Sequence, residues 1–335
     1  MTIRVAINGF GRIGRLALRA AWGSSQISIV HINEIAGDAA AAAHLLEYDS
    51  VHGRWDKNIQ STKDSLIIDN TTISYSHNSA LNDTPWAAHR IDIVLECTGR
   101  FKLSTDFAPC FAAGVKKVVV SAPIKDGTLN VVMGVNHNNY QTKHHNVVTA
   151  ASCTTNCIAP VIDVIHSHFG IKHGSITTIH NLTNSQCILD EYHKDLRRAR
   201  ACGTSLIPTS TGSATAITEI FPELKGRING VAIRVPLTNA SLTDCVFELA
   251  QTVTVEQVNQ ALQHAAQGRL EGILGYEEKP LVSVDYTNDK RSSIVDAPST
   301  MVINGTQVKL LLWYDNEIGY VHRMIELTEM VAQKL

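Results

Sequence analysis

The sequence contains no apolar run approaching the ~18 residues that a membrane-spanning helix needs. It has no basic or acidic tail either: the formal net charge is −2 over 335 residues, with no run of like charge. That balance offers nothing to a nucleic-acid backbone or an anionic membrane surface, so neither is expected as a partner. Near the N-terminus, Asn8, Gly9 and Gly11 interrupt the apolar run too early for a signal peptide. No internal repeat or low-complexity segment is visible. The seven cysteines (97, 110, 153, 157, 187, 202 and 245) are odd in number and scattered. This argues against a disulfide framework and for a reducing, cytoplasmic setting. Metal-site spacings are missing as well. There is no C-x-x-C and no H-E-x-x-H, and the pairs His144-His145 and His166/His168 lack neighbouring carboxylates or thiols. No bound metal is expected.

What remains is a soluble-type composition, 44% hydrophobic and 18% charged, long enough for two domains that each bury a core. The first half alternates strand and helix signals: strands at 2–7 and 28–33, helices at 12–22 and 38–48, and near-continuous apolar strands at 91–97 and 117–121. Apolar strands of that kind belong to a parallel sheet buried on both faces, which predicts a doubly wound α/β domain. Beyond about residue 150 the runs become longer and more β-rich, at 175–180, 231–235, 241–249 and 307–314, with a helix at 255–267 between them. A mixed α+β second domain and a terminal helix over 319–331 are expected. Residues 181–206 form a long polar stretch containing Arg197, Arg198 and Arg200, and a loop that long in a compact domain is usually functional.

Two stretches carry chemistry. In Ser152-Cys-Thr-Thr-Asn-Cys157, the strand-like 146–150 leads into an apolar-periodic helix that Gly170 can stop. Cys153 then sits at a strand-to-helix junction, where unpaired N–H groups and the helix dipole favour a thiolate. A buried core thiol is the competing account; the hydroxyls of Ser152, Thr154 and Thr155 favour the reactive one. In Gly9-Phe10-Gly11-Arg12-Ile13-Gly14, the G-x-G-x-x-G spacing follows a strand and opens a helix. Glu34 ends the next strand 20 residues after Gly14. That is the dinucleotide-binding arrangement, and a carboxylate there accepts from the ribose hydroxyls and repels a 2′-phosphate. NAD is expected over NADP.

Taken together, Asn8-Gly-Phe-Gly-Arg-Ile-Gly-Arg15, Ser152-Cys-Thr-Thr-Asn156 and Trp313-Tyr-Asp-Asn-Glu317 resemble phosphorylating glyceraldehyde-3-phosphate dehydrogenases in order and spacing, over essentially the whole chain. The resemblance implies a Rossmann NAD-binding domain over 1–151, with a C-terminal helix (about 316–335) packing back on it. It implies a catalytic domain over 152–315 with an interface loop, the S-loop, at 181–206, and a homotetramer. It makes Cys153 the nucleophile and His180 the general base. Thr183, Arg198 and Arg234 would hold the phosphate of glyceraldehyde 3-phosphate, and Ser152, Thr154, Thr211 and Gly212 the attacking inorganic phosphate. Asn8, Gly9, Phe10, Gly11, Arg12, Ile13, Gly14, Glu34, Thr98, Ser121, Asn184 and Asn316 would line the cofactor site.

Several positions depart from the commonest pattern of that family: Glu34 for an aspartate, Ser185 for an acid or threonine, Thr215 for a lysine, Ile318 for an aromatic, and Glu191-Tyr192 at the loop position tied to cofactor choice. They suggest a side branch. Erythrose-4-phosphate dehydrogenases share Asn33-Glu34 but lack the threonine after the histidine and the Thr-Gly pair that are present here as Thr183 and Thr211-Gly212. The chain looks most similar to the branch associated with arsenic-efflux transporters, in which arsenate is the attacking anion and 1-arseno-3-phosphoglycerate the product. A non-catalytic thiol or NAD sensor on the same scaffold would have no use for His180 together with two anion sites.

Overall fold

A computed structural model describes residues 2–335, which divide into two compact units. The first comprises 2–133, 137–151 and 321–335, and the second 134–136 and 152–320. The first unit is built from β1 (Ile3–Asn8), α1 (Arg12–Ala21), β2 (Ile27–Asn33), α2 (Ala39–Glu47), β3 (Ile59–Thr62), β4 (Ser65–Ile68), β5 (Thr71–Ser76), β6 (Ile93–Glu96), α3 (Ala108–Ala112), β7 (Lys117–Val120), β8 (Leu129–Asn130) and β9 (Val147–Thr149). They form a nine-stranded sheet in the order β3-β4-β5-β2-β1-β6-β7-β9-β8. From β5 to β8 every pairing is parallel. Val5, Ile7, Val94, Leu95, Val118 and Val119 are fully buried, as the apolar runs require. Chain order reverses between β1 and β6, so a crevice opens at the ends of these neighbouring strands.

The sequence reading missed β3 to β5. These strands are short, antiparallel at the sheet edge, and rich in serine and threonine. Their signal lay in the turn: Asp69 and Asn70 both adopt left-handed backbone, φ 47° and 75°, as a two-residue hairpin turn demands.

The second unit contains α4 (Cys153–Phe169), β10 (Ile171–His180), β11 (Ile207–Ser210), α5 (Ser213–Ile220), β12 (Ile228–Arg234), β13 (Ser241–Leu249), α6 (Val255–Ala266), β14 (Leu274–Glu277), β15 (Ser293–Asp296), β16 (Met301–Ile303), β17 (Gln307–Tyr314) and the start of α7 (Ile318–Gln333), which from Val321 onward belongs to the first unit. Its mixed eight-stranded sheet runs β11-β12-β10-β13-β17-β15-β14, with β16 on β17. The apolar face of α4 packs on β10, β13, β15 and β17. Pro160 lies inside that helix, and Gly170 ends it at φ 68°. The fold is therefore a Rossmann-type α/β unit plus a mixed-sheet unit. Among the described residues no helix is long and apolar enough to cross a membrane, and no group of three or more His, Cys, Asp or Glu could hold a metal ion.

The glycines of the 9–14 motif are explained by their surroundings. Gly9 has φ 90°, and a Cβ there would lie 2.7 Å from the Thr98 amide nitrogen. A Cβ on Gly14 would clash with the Gly9 carbonyl oxygen. We expect Gly14→Ala to separate α1 from β1, lowering stability by about 1–3 kcal/mol and weakening NAD binding; denaturant melts and NAD titration check this. Stability within error of the wild type would remove the packing argument.

Candidate active site

Backbone geometry sets up the nucleophile. Thr149 Oγ1 accepts from the Ala151 amide at 3.0 Å, and Ala151, fully buried, is held at φ 53°. That left-handed turn carries the chain from β9 into α4. Ser152 caps the helix, its Oγ accepting from Thr155 N at 3.1 Å, and Cys153 becomes the first helical residue. The site is thus a strained turn resolved by a cap, with the thiol at the helix entrance.

His180 arrives from the end of β10, with its Nε2 3.7 Å from Cys153 Sγ. Its Nδ1 lies 2.9 Å from the Asn181 carbonyl oxygen. In the tautomer that carries the proton on Nδ1 and donates it to that carbonyl, Nε2 accepts the thiol proton. Arg234, at the end of the adjacent β12, donates from Nη1 to the same carbonyl at 3.1 Å, and the same donor-only Nη1 is paired with His180 Nδ1, which accepts from it in the Nε2-protonated tautomer. The parallel pairing of His180 with Arg234 makes this juxtaposition a matter of register.

Burial pushes the Cys153 thiol up from its ordinary value, against the hydrogen bond from Thr154 and the Arg234 charge. Burial and the Arg234 charge together lower His180 to about 4. Both shifts favour a neutral thiol beside a neutral imidazole. The sequence alone predicts a depressed thiol from the helix entrance, and the enclosure of the site reverses that direction.

Thr154 Oγ1 lies 4.0 Å from the Cys153 sulfur and 3.0 Å from the Tyr314 hydroxyl. Tyr314 is buried and packs edge-on to the His180 ring. It escaped the sequence reading although it stands in the Trp313–Glu317 block.

The remaining anion-site candidates are held by their own neighbours. Thr183 Oγ1 lies 2.9 Å from Ser185 Oγ, and Arg198 Nε donates to Thr209 Oγ1 at 2.8 Å. Burial, and after it the nearby Arg198 charge, lower Arg234 from its ordinary value. Thr211 Oγ1 accepts from Ser213 N, and Gly212 begins α5 without any side-chain cap, leaving that helix entrance open to an anion. Asn316 is buried, its Oδ1 3.4 Å from Ser241 Oγ, which in turn reaches Asn181 beside the histidine. Asn184 is exposed on the 181–206 segment.

In the first unit, Asn8, Gly9, Gly11, Asn33, Glu34, Cys97, Thr98 and Phe101 help line a cleft of about 290 Å³ at the strand-order reversal. The missing Cβ of Gly11 faces open space, and Gly11 begins α1 with no side-chain cap. A pyrophosphate fits such a cradle. Glu34 accepts from Phe10 N at 2.6 Å and Ala36 N at 2.8 Å, and each oxygen retains a lone-pair direction for a ribose hydroxyl. Arg12 is engaged with Asp49 at 2.9 Å. Phe10 is buried and Ile13 half-buried behind the loop. The crevice floor holds a further carboxylate, Glu96, 1% exposed, which accepts from Asn8 Nδ2 at 2.6 Å and from Thr98 N at 2.7 Å; Ser121 N donates to its backbone oxygen. Burial pushes Glu96 up. An acid inside an otherwise apolar strand was the signal that could have found it.

Comparison with known proteins accounts for this combination. Residues 152–316 match the glyceraldehyde 3-phosphate dehydrogenase C-terminal domain, and residues 3–104 match the NAD-binding domain of the same family. A glyceraldehyde-3-phosphate dehydrogenase 3 of a Nostoc species is 59% identical over 336 residues, covering 100% of both chains. The chain belongs to the glyceraldehyde 3-phosphate dehydrogenase family. The enzyme of Geobacillus stearothermophilus is 50% identical, over 100% of this chain and 99% of its own, and one from Streptomyces avermitilis is 47% identical over the full length of both. As a member of this family the chain is an NAD-dependent dehydrogenase, and the open cradle at Gly11 suits that cofactor.

Proposed function

We propose that this enzyme oxidises glyceraldehyde 3-phosphate to an acyl phosphate through a thioester on Cys153. The observation that carries the reading is Cys153 Sγ lying 3.7 Å from a His180 nitrogen able to accept its proton. In the first step the sulfur attacks the aldehyde carbon as His180 takes the thiol proton and passes it to the former carbonyl oxygen, giving a thiohemiacetal on Cys153 and a neutral His180. The N–H groups at the α4 entrance and His180 stabilise the oxygen that gains charge. NAD, when bound, supplies the hydride acceptor. His180 removes the hydroxyl proton as the Cys153 adduct becomes a thioester, and inorganic phosphate then attacks that carbonyl and expels the thiolate. Arg234, Arg198 and Thr183 would hold the substrate's phosphate, and Ser152, Thr154, Thr211 and Gly212 the attacking anion, because two dianions beside one thiol need fixed positive charge and hydroxyl donors. Glu34, Thr98, Ser121, Asn184 and Asn316, with residues 8–14, would orient the cofactor.

Residues 1–151 would serve as the cofactor domain, with helix 316–335 returning to it, and 152–315 as the catalytic domain. A homotetramer is the assembly we favour, since segment 181–206 exposes Ile188, Leu189, Tyr192 and Leu196, an apolar patch unusual on an isolated protomer. The reduced cysteines suit a cytoplasmic enzyme.

Arsenate has the shape and charge of phosphate, so the same donors accept it, and an arsenate-detoxifying role beside an efflux transporter is the more specific reading. NADH formation with glyceraldehyde 3-phosphate should be stimulated by phosphate and by arsenate, and should stop after one turnover with neither. No stimulation by either anion would end the phosphorolysis reading. Unchanged arsenate tolerance in cells lacking the gene would leave the glycolytic role alone. Erythrose 4-phosphate assayed in parallel should be the poorer substrate. NAD should exceed NADP in kcat/KM by about tenfold or more, because Glu34 repels a 2′-phosphate; equal efficiency would contradict that role.

A further inference from the structure

Segment 181–206 carries two cysteines, Cys187 and Cys202, and the backbone joins them. The Cys202 amide donates to the Cys187 carbonyl at 3.0 Å. A carbonyl oxygen lies about 2.4 Å from its own Cα and an amide nitrogen about 1.5 Å from its own. The two Cα atoms are therefore no farther apart than about 6.9 Å, which compares with the ~4.4–6.8 Å of bridged cysteines. This bond is one rung of several. Ala201 N donates to Asp190 Oδ1 at 2.9 Å, Arg200 Nε to Asp190 Oδ2 at 2.8 Å, and Glu191 N to the Ala199 oxygen at 2.9 Å. Limbs 187–191 and 199–202 thus run side by side and hold the cysteines in register at the base of the loop. Cys202 is buried and Cys187 half-buried, and both are free thiols. Of the others, Cys110, Cys157 and Cys245 are fully buried in the core, Cys97 lines the cleft of the first unit, and Cys153 is the nucleophile of the proposed mechanism.

We propose that Cys187 and Cys202 form a reversible disulfide that clips together the two limbs of segment 181–206. The oxidant is a low-molecular-weight disulfide of the glutathione class. The Cys187 thiolate attacks one of its sulfurs, the S–S bond breaks, and one glutathione thiolate leaves and takes up a proton. The Cys202 thiolate then attacks the Cys187 sulfur of the mixed disulfide and releases the second glutathione. Two protein thiols lose two electrons and two protons, and the oxidant gains both. Burial, Glu191, Cys202 and Asp190 push the Cys187 thiol up, so the first attack is slow near neutrality and accelerates as pH rises. The clip closes the loop that contains Arg198, between Asn184 on one side and the start of β11 on the other, and so restricts its open states.

The loop contains Lys194, Arg197, Arg198 and Arg200, so trypsin separates the two cysteines. Cys187 falls in peptide 173–194 and Cys202 in 201–225, each with no second cysteine. The folded full-length protein, as wild type and as Cys153→Ser, is incubated with oxidised and reduced glutathione at pH 8.5, acid-quenched, alkylated and digested. The expected product in both is a 173–194/201–225 disulfide pair that reducing agent separates, absent from Cys187→Ala and Cys202→Ala, with a Tm raised by about 2–6 °C in the oxidised Cys153→Ser protein. Glutathione on Cys187 with Cys202 still alkylatable, a link joining two copies of one peptide, or no link at all after hours at a strongly oxidising ratio would each overturn the proposal. The outcome does not depend on the substrate assignment, because Cys153→Ser reports it without turnover.

Discussion

Cys153→Ser should lower NADH formation from glyceraldehyde 3-phosphate by about 10⁴-fold or more while leaving NAD affinity within about twofold. The cofactor cleft is built from residues of the first unit, whereas the thiol stands at the entrance to α4 in the second. A serine there retains the cap and the helix but not the acyl-accepting sulfur. His180→Asn should cost about 10²–10⁴-fold in kcat and lose the proton acceptor 3.7 Å from the sulfur. The pH dependence distinguishes how the thiol is activated. His180, lowered to about 4, is neutral and able to accept a proton everywhere above about pH 5. Cys153, pushed up by burial, is protonated through the neutral range. Alkylation of the cofactor-free enzyme by iodoacetamide should therefore climb with pH beyond neutrality rather than plateau. A flat rate between pH 6 and 9 would mean a preformed thiolate–imidazolium pair and would overturn this account. Near-normal turnover of Cys153→Ser would remove the nucleophile assignment altogether.

How much of this site the sequence made legible follows from what kind of interaction built each part. The glycine motif, Glu34 and the Ser152–Cys153 cap are local: a tight turn, a strand end and a helix start each leave their residue types within a few positions. Continuous apolar runs likewise announced β6 and β7. Contacts far apart in sequence left no such trace. Tyr314 meets Thr154 across 160 positions, and Glu96 meets Asn8 across 88. Only the sheet order brings these groups together, and nothing near either residue encodes it. The direction of the Cys153 shift was lost for the same reason. A helix entrance is visible in sequence, but the burial that outweighs it is a property of the packed unit.

Arg234 provides the second large expected effect, because its one guanidinium does two separable things. It donates to the Asn181 carbonyl that fixes His180, and it is half-buried beside the charge of Arg198, where a substrate phosphate would be held. Arg234→Leu should lower kcat/KM for glyceraldehyde 3-phosphate by about 10²-fold, the loss of a charge-assisted phosphate contact worth about 1.5–3 kcal/mol. With unphosphorylated glyceraldehyde the loss should be much smaller, since that contact is never made. The sign of the pH effect follows from the histidine. In the wild type the Arg234 charge helps hold His180 at about 4, so it stays a base in mild acid. Burial still holds His180 below its ordinary value, but removing the charge lets it rise part of the way, so it protonates, and ceases to accept, at a higher pH than in the wild type. The variant's acidic limb in kcat should accordingly lie at higher pH than the wild type's, with either substrate. Arg234→Lys should restore most of the charge effect on that limb but little of the phosphate affinity, because an ammonium cannot reproduce the planar donor pair. Equal losses with both aldehydes and an unmoved acidic limb would show that Arg234 only supports the fold.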